Sequence, residues 1–164
     1  METQRTTPPE ESMIKMVAFD VYGTLISSKL YRSPKHKEPQ FKLIEKASEV
    51  LAELRARRIS AVTCSDDRLE DLEKTFREVG LNWLDYFDDM FRMEPGRPKD
   101  FSDILETSGN NASQLLVVGN DYKVDVLPAR MQGCQALWVP ETKKDRRQNP
   151  QGRCYTLVDV LNLL

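Results

Sequence analysis

Side chains that can bind an anion or a divalent cation follow several short apolar runs of this 164-residue sequence. In chain order they are Asp20, Thr63, Arg97 and Lys99, and the group Asn120, Asp121 and Asp125. Burying a carboxylate without a partner is costly, so Asp20, which ends an apolar run, must face solvent, a cation or a ligand. Mg²⁺ prefers carboxylate oxygens, a backbone carbonyl and waters, often with a substrate phosphate as another ligand. Carboxylates at two such ends, with a hydroxyl and a cation between them, therefore predict a site for Mg²⁺ and phosphate.

Two short segments beside these residues are candidates for contact with a substrate. Gly23 and Thr24 follow Asp20, and a glycine allows a tight turn whose backbone N–H groups can face an anion. Thr63 is followed by Cys64. A cysteine at this place is also commonly a small, buried apolar residue without a chemical role. We therefore predict that Gly23, Thr24, Thr63 and Cys64 contact the substrate.

The surrounding sequence predicts alternating strands and helices. Short apolar runs predict strands at 14–19, 59–63, within 84–93, 114–119 and 136–139. Amphipathic spacing and capping residues predict five helices. They are placed at 41–58, from a cap at Ser65 or Asp66 to Gly80, from Pro98 to about Thr107, after the 114–119 strand through Arg130, and at 155–164. The segments 28–40 and 141–153 are predicted to be loops. This alternation predicts a three-layer α/β/α sandwich with a mainly parallel, Rossmann-like sheet. Ligands of such sheets bind at the carboxyl ends of the strands, where the polar residues above lie.

Composition excludes several other classes of protein. The 24 Lys and Arg residues and 26 Asp and Glu residues give a net charge of −2, which disfavours a dedicated nucleic-acid-binding protein. No apolar stretch reaches the length of a membrane span, and residues 1–12 are polar and predicted to be a disordered leader. The three cysteines form no CxxC pair and are odd in number, so we expect a reduced, cytoplasmic protein with one domain at 13–164.

Four segments, taken in order, resemble the motifs of the haloacid dehalogenase superfamily, most of whose members are phosphatases. They read FDVYGTL at 19–25, AVT at 61–63, GRPK at 96–99 and VVGNDYKVD at 117–125. The resemblance spans residues 14–140. It implies a Mg²⁺-dependent phosphatase in which phosphate monoesters are hydrolysed through an aspartyl-phosphate.

The resemblance also assigns a role to each matching position. Asp20 would be the nucleophile, Thr63 would donate to a phosphate oxygen, and Arg97 or Lys99 would neutralise charge. Mg²⁺ would lie between Asp20, the backbone carbonyl of Tyr22 and the loop that contains Asn120, Asp121 and Asp125.

The chain departs from the phosphatase pattern at three places. Tyr22 replaces the aspartate that acts as general acid and base, and a phenol with a pKa near ~10 serves that role poorly at neutral pH. Asn120 replaces an aspartate, so Asp121 is an alternative metal ligand. Arg97 stands where lysine is usual, and an arginine would hold phosphate as a planar fork.

Neither insertion point of the superfamily has room for the usual cap domain. An open site suits a bulky phosphorylated substrate or a lid from a partner subunit, and the basic segment 29–37 could guide an anionic substrate. The alternative function is a catalytically weak phosphate-binding or regulatory protein with the same fold. A 2-haloacid dehalogenase is disfavoured because that activity draws substrate contacts from the cap. A receiver-type phosphoacceptor domain is disfavoured because its acceptor aspartate would follow the third strand.

Overall fold

The computed structural model describes residues 13–35 and 38–164. The predicted leader at 1–12, and His36 and Lys37 of the basic segment, lie outside the described residues. In the described part the cysteines Cys64, Cys134 and Cys154 are free thiols, as the sequence predicted. No helix of this part is both long enough and apolar enough to span a membrane.

Five parallel strands form one sheet, in the order β3-β2-β1-β4-β5. Their bounds are β1 Met16–Phe19, β2 Ser60–Ser65, β3 Asp89–Arg92, β4 Leu115–Gly119 and β5 Gln135–Trp138. The register pairs Phe19 of β1 with Thr63 of β2 on one side and with Val118 of β4 on the other. The central strand β1 therefore ends between the ends of β2 and β4, and Asp20 leaves the sheet at that point.

Helices connect the strands. The α-helices are α1 Ala47–Ala56, α2 Leu69–Glu78, α3 Ser102–Ser108, α4 Leu127–Met131 and α5 Lys143–Arg147; a π-helical turn, Tyr122–Val126, leads into α4, and 3₁₀ turns cover Trp83–Asp85, Ala112–Gln114 and Leu157–Leu163. All four residues of β1 are buried. Val17 and Phe19 pack into a core with α1 and α2, whereas Met16 and Ala18 pack into a second core with α3 and α4. A sheet covered on both faces is the three-layer, Rossmann-like α/β fold that the sequence predicted.

Several predicted helix limits are wrong, each for a local reason. Residues 41–46 are not helical because Leu43 pairs with Ile26 in an antiparallel bridge, and Lys46 has a left-handed backbone (φ 70°). Neither Ser65 nor Asp66 caps α2, because β2 extends through Ser65 and the helix begins after Arg68.

The later helices also differ from the prediction. Pro98 does not start a helix; α3 begins at Ser102, and the segment before it is held to the π-helical turn by Lys99 N–H donating to Val124 O at 3.1 Å. The predicted loop 141–153 contains α5, which a reciprocal Thr142–Asp145 capping box starts. The closing helix is a 3₁₀ helix at Leu157–Leu163.

The structure has no cap domain in its described part. Residues 21–26 form a tight turn, and the described residues from there to α1 carry two isolated antiparallel bridges, Ile26 with Leu43 and Tyr31 with Gln40. The connection from β2 to β3 contains only α2 and a 3₁₀ turn. Within residues 13–35 and 38–164, therefore, no domain covers the carboxyl ends of the strands.

Candidate active site

A buried ion cluster lies at the carboxyl end of β1. Lys99 Nζ is 2.8 Å from Asp20 Oδ1 and 2.5 Å from Asp125 Oδ1. The side chains of Lys99, Asp20 and Asp125 are 3%, 13% and 1% exposed, respectively. One ammonium group thus bridges two carboxylates, of which only that of Asp20 retains measurable contact with solvent.

The three charges change one another's protonation. Burial and the nearby charge of Asp20 raise the pKa of Asp125 to about 7, although Lys99 opposes this change. Burial also raises the pKa of Asp20, and Lys99 again acts in the opposite direction. Burial disfavours the charge on Lys99, but Cys64, Asp20 and Asp125 raise its pKa well above the ordinary value. Lys99 is therefore a cation throughout the neutral range.

The backbone around β4 explains how Asp125 reaches this cluster. Asp125 lies in the π-helical turn, and its Oδ2 accepts a hydrogen bond from Asp121 N–H at 3.1 Å. A Cβ atom at position 119 would overlap the Asp125 side chain, so Gly119 is required for this close approach. The Lys99 carbonyl accepts from Gln132 Nε2 at 2.8 Å, which fixes the lysine segment against the end of α4.

Thr24 and Asn120 lie on the other side of Asp20. Thr24 Oγ1 is 3.4 Å from Asp20 Oδ2 and 3.3 Å from Asn120 Oδ1, so the two oxygens share one hydroxyl. Gly23 has a φ of +86°, and a Cβ there would overlap the Asn120 side chain. Asn120 donates from Nδ2 to Asp145 Oδ2 at 3.2 Å, which turns its amide oxygen toward Thr24.

The hydroxyl of Tyr22 is held by α2. Its oxygen is 2.6 Å from Thr75 Oγ1, and the ring packs against Phe41 with centroids 5.2 Å apart. Burial raises the pKa of Tyr22 above its ordinary value of 10.0. At neutral pH the phenol is therefore protonated and already engaged in a hydrogen bond.

Thr63 and Cys64 are fully buried in β2. Among the described residues, Thr63 Oγ1 has no hydrogen-bond partner. Burial raises the pKa of the Cys64 thiol to about 12, so this thiol is neutral at physiological pH. The register ends with the Phe19–Thr63 pair, and the residues that follow these two are Asp20 and Cys64.

An open cavity of about 280 Å³ contains Asp20. Its lining includes seven of the predicted site residues, namely Asp20, Tyr22, Arg97, Lys99, Asn120, Asp121 and Asp125. Arg97 is exposed, and its contact is with Glu94 at 3.6 Å rather than with Asp20. Of the two candidate cations, Lys99 is the one the structure brings to Asp20.

The cavity also contains Asp66 and Asp67, which the sequence analysis did not select. Both follow β2. In the sequence, an Asp-Asp pair after a strand is typical of a helix cap, and only the structure shows that the ends of other strands lie beside it. Asp145 was missed for a related reason, since its contact with Asn120 joins residues 25 positions apart.

Asp121 uses one carboxylate oxygen within the backbone of its own turn. Its Oδ1 accepts from Lys123 N–H at 3.1 Å and from Val124 N–H at 2.9 Å. The described residues contain no group of three or more His, Cys, Asp or Glu side chains arranged to hold a metal ion. The two oxygens that the structure brings together near Thr24 Oγ1 are Asp20 Oδ2 and the amide oxygen of Asn120.

Comparison with known proteins finds similarity in structure but not in sequence profiles. No protein-family model matches the chain, and no curated protein matches it significantly. A putative β-phosphoglucomutase from Thermotoga maritima is similar with a TM-score of 0.70 at 14% identity, over 91% of this chain and 97% of the other. A predicted phosphoglycolate phosphatase from Haemophilus somnus has a TM-score of 0.69 at 13% identity, over 91% and 97%.

A third similar structure is a haloacid dehalogenase-like hydrolase from Streptococcus pneumoniae. It has a TM-score of 0.66 at 16% identity, over 91% of this chain and 97% of the other. At identities this low, similarity of structure is evidence about the fold alone. These three similar structures, the strand order and the site at the end of β1 establish that the chain has the haloacid dehalogenase-like fold.

Proposed function

We propose that this protein hydrolyses phosphate monoesters, with Asp20 as the nucleophile that forms an aspartyl-phosphate. The observation that carries the proposal is the contact of Lys99 Nζ with Asp20 Oδ1 at 2.8 Å inside an open cavity. A buried ammonium favours the ionised form of the nucleophile, in opposition to burial, and offsets the negative charge of an incoming phosphoryl group. The likeness of the fold to that of phosphatases and phosphoglucomutases supports the same conclusion.

The neighbouring residues have chemistry that suits this reaction. Lys99 holds Asp20 Oδ1 at 2.8 Å and Thr24 Oγ1 lies 3.4 Å from Oδ2, so both oxygens of the proposed nucleophile are fixed in position. We propose that Thr63, whose buried hydroxyl has no partner among the described residues, donates to a phosphate oxygen. Asp125 fixes Lys99 from the other side, so the cation is positioned before substrate arrives. Such a site works mainly by positioning and by charge stabilisation.

Mg²⁺ is the cofactor we propose for this site. Asp20 Oδ2 and Asn120 Oδ1 both lie within 3.4 Å of Thr24 Oγ1, and carboxylate and amide oxygens suit a hard cation that keeps several waters. The residues present therefore fit Mg²⁺, with Asp20, Asn120 and the Tyr22 carbonyl as its protein ligands and Asp121 as a further candidate. When bound, Mg²⁺ would supply positive charge to the phosphoryl oxygens.

A second function is favoured by one contact and by one neutral side chain. The Tyr22 hydroxyl is bound to Thr75 rather than free, and Asn120 brings no charge to the cation site. A protein with these features could bind phosphate without efficient turnover. This alternative predicts phosphate binding by a folded protein that releases none from an ester.

The experiment is phosphate release from p-nitrophenyl phosphate, with Mg²⁺ or with EDTA, by the wild type and by Asp20→Asn. Hydrolysis that requires Mg²⁺ and is lost in the variant supports the proposal. Circular dichroism confirms that both proteins are folded. Calorimetric binding of inorganic phosphate without any release would instead support the regulatory alternative. Release of halide from a 2-haloacid would indicate the dehalogenase reaction.

A further inference from the structure

Hydrolysis of an alkyl phosphate needs a proton donor for the departing oxygen. General acid catalysis of this kind contributes about 10²- to 10⁴-fold in rate. The Tyr22 phenol is not suited to the role, since it is hydrogen-bonded to Thr75 and burial raises its pKa. The donor must therefore be sought among the other groups that line the cavity beside Asp20.

Five carboxyl groups line that cavity, those of Asp20, Asp66, Asp67, Asp121 and Asp125. All but Asp66 are engaged in ion pairs or hydrogen bonds. Asp20 and Asp125 are paired with Lys99. Asp121 accepts two backbone N–H groups of its own turn. Asp67 is tied to Ser65, whose hydroxyl donates to Asp67 Oδ2 at 2.8 Å.

Asp66 is the exposed member of this set on the β2 side of the cavity. It follows β2, the strand beside β1, and so lies across the Asp20 strand end from Asn120 and Asp121. Asp66 and Asp20 line the same cavity. In agreement with this placement, the charge of Asp66 adds a small effect to the larger effect of burial in raising the pKa of Asp20. Because Asp66 is exposed and lines the cavity, its carboxyl group is accessible to water and to a substrate bound there.

We propose that Asp66 is the general acid and base of this site, in place of the carboxylate that position 22 lacks. The proposal rests on the phosphate-monoester hydrolase function inferred above.

Two steps complete the reaction. In the first, an Asp20 oxygen bonds to phosphorus, the bond from phosphorus to the ester oxygen breaks, and that oxygen takes the proton of the Asp66 carboxyl group as the alcohol leaves. In the second, the Asp66 carboxylate takes a proton from water, the water oxygen bonds to phosphorus, and the phosphorus–Asp20 bond breaks. Inorganic phosphate leaves, and both aspartates return to their starting states.

The test compares Asp66→Asn with the wild type on an aryl ester, p-nitrophenyl phosphate, and an alkyl ester, ethyl phosphate. The aryl leaving group needs little protonation, so the variant should release about one p-nitrophenol per enzyme at the wild-type rate. It should then turn over about 100-fold more slowly, because the second step lacks its base. On ethyl phosphate both steps should be slow, with no initial burst of ethanol.

Two matched variants separate this role from a general loss of negative charge. Glu70→Gln removes a charge from an exposed residue in the first turn of α2, outside the cavity lining. Asp67→Asn changes the neighbouring carboxyl group. Neither variant should change the rate on the aryl ester and the rate on the alkyl ester by different factors. An equal loss of the first-step rate on both esters in Asp66→Asn, or no effect on either ester, would overturn the assignment of Asp66 while leaving Asp20-dependent release intact. Absence of Asp20-dependent release from wild-type protein would overturn the hydrolase function and this proposal with it.

Discussion

Lys99 holds two carboxylates together in a place where water cannot screen them. Its ammonium lies within 2.8 Å of Asp20 and 2.5 Å of Asp125, and its side chain is only 3% exposed. Removing one member of a buried ion cluster leaves charges that have lost both water and partner. The residue should therefore matter for stability and for chemistry at once.

We expect Lys99→Met to lose phosphate release and to lower the free energy of unfolding by about 3–5 kcal/mol, the usual result of breaking a buried ion pair. Arg97→Met should keep most of its kcat and its stability, since Arg97 is 71% exposed and pairs with Glu94. Urea unfolding and phosphate release measure the two effects. A larger loss of kcat in Arg97→Met would show that Arg97 is the phosphate cation.

A second residue-level prediction concerns pH. The folded-state pKa of Asp125 is about 7, raised from 3.8 mainly by burial. Between these values the folded state binds more protons than the unfolded state, so this group's contribution to stability is full below about pH 4 and is lost as the pH rises through 7. Asp125→Asn should remove that loss, which is on the order of 2–4 kcal/mol.

The measurement is urea unfolding of the wild type and Asp125→Asn in EDTA at several pH values from about 4 to 8. The difference between the two proteins isolates Asp125 from other titrating groups. A difference that does not change with pH would mean that Asp125 titrates normally in the folded protein.

At the level of elements, the sequence predicted the strands better than the helices. The central strands β1, β2 and β4 are short runs buried on both faces, and such runs are visible without tertiary information. The edge strands β3 and β5 are partly exposed. The limits of α1 and α3 depend instead on contacts between distant residues, such as the Ile26–Leu43 bridge and the bond from Lys99 N–H to Val124 O. No local pattern reveals those contacts.

The same reasoning applies to the candidate site. Asp20, Thr63 and Asn120 could be selected because each stands at the end of an apolar run. The choice between Arg97 and Lys99 could not be made, since it depends on which cation the segment before α3 turns inward. Asp66 and Asp145 lack any signal that separates them from helix-capping residues.

A prediction at this scale concerns α5 and the loop after β4. Asp145 is the acidic residue of the capping box of α5, and its Oδ2 also accepts from Asn120 Nδ2 at 3.2 Å. Asn120→Asp would set two carboxylates against each other, so we expect it to lower the unfolding midpoint in EDTA. Asn120→Asp combined with Asp145→Asn restores a donor and an acceptor and should recover most of the loss.

The double-mutant cycle by thermal unfolding measures this coupling. Asp145→Asn alone serves as the control for damage to the capping box. Additive effects of the two substitutions would show that the contact does not contribute to stability.

For the whole molecule, the topology sets the access to Asp20. The described chain places no domain over the carboxyl ends of the strands, and the cavity there is open. We expect kcat/KM for a phosphoserine within a long peptide to be no lower than for free phosphoserine, because nothing closes around the small ester. The measurement is a comparison of the two substrates over a range of enzyme concentrations. Specific activity that rises with enzyme concentration would instead indicate a lid supplied by a second copy.

The hydrogen bond between Asn120 and Asp145 also limits how this sequence can change over generations. A single base change converts an asparagine codon to an aspartate codon, and the reverse change at position 145 is equally short. If Asn120→Asp occurs first, the intermediate protein has two opposed carboxylates. If Asp145→Asn occurs first, the intermediate protein has a neutral pair. The contact therefore favours one order of mutation over the other, and a variant with a carboxylate at 120 is most accessible to lineages that have already lost the one at 145.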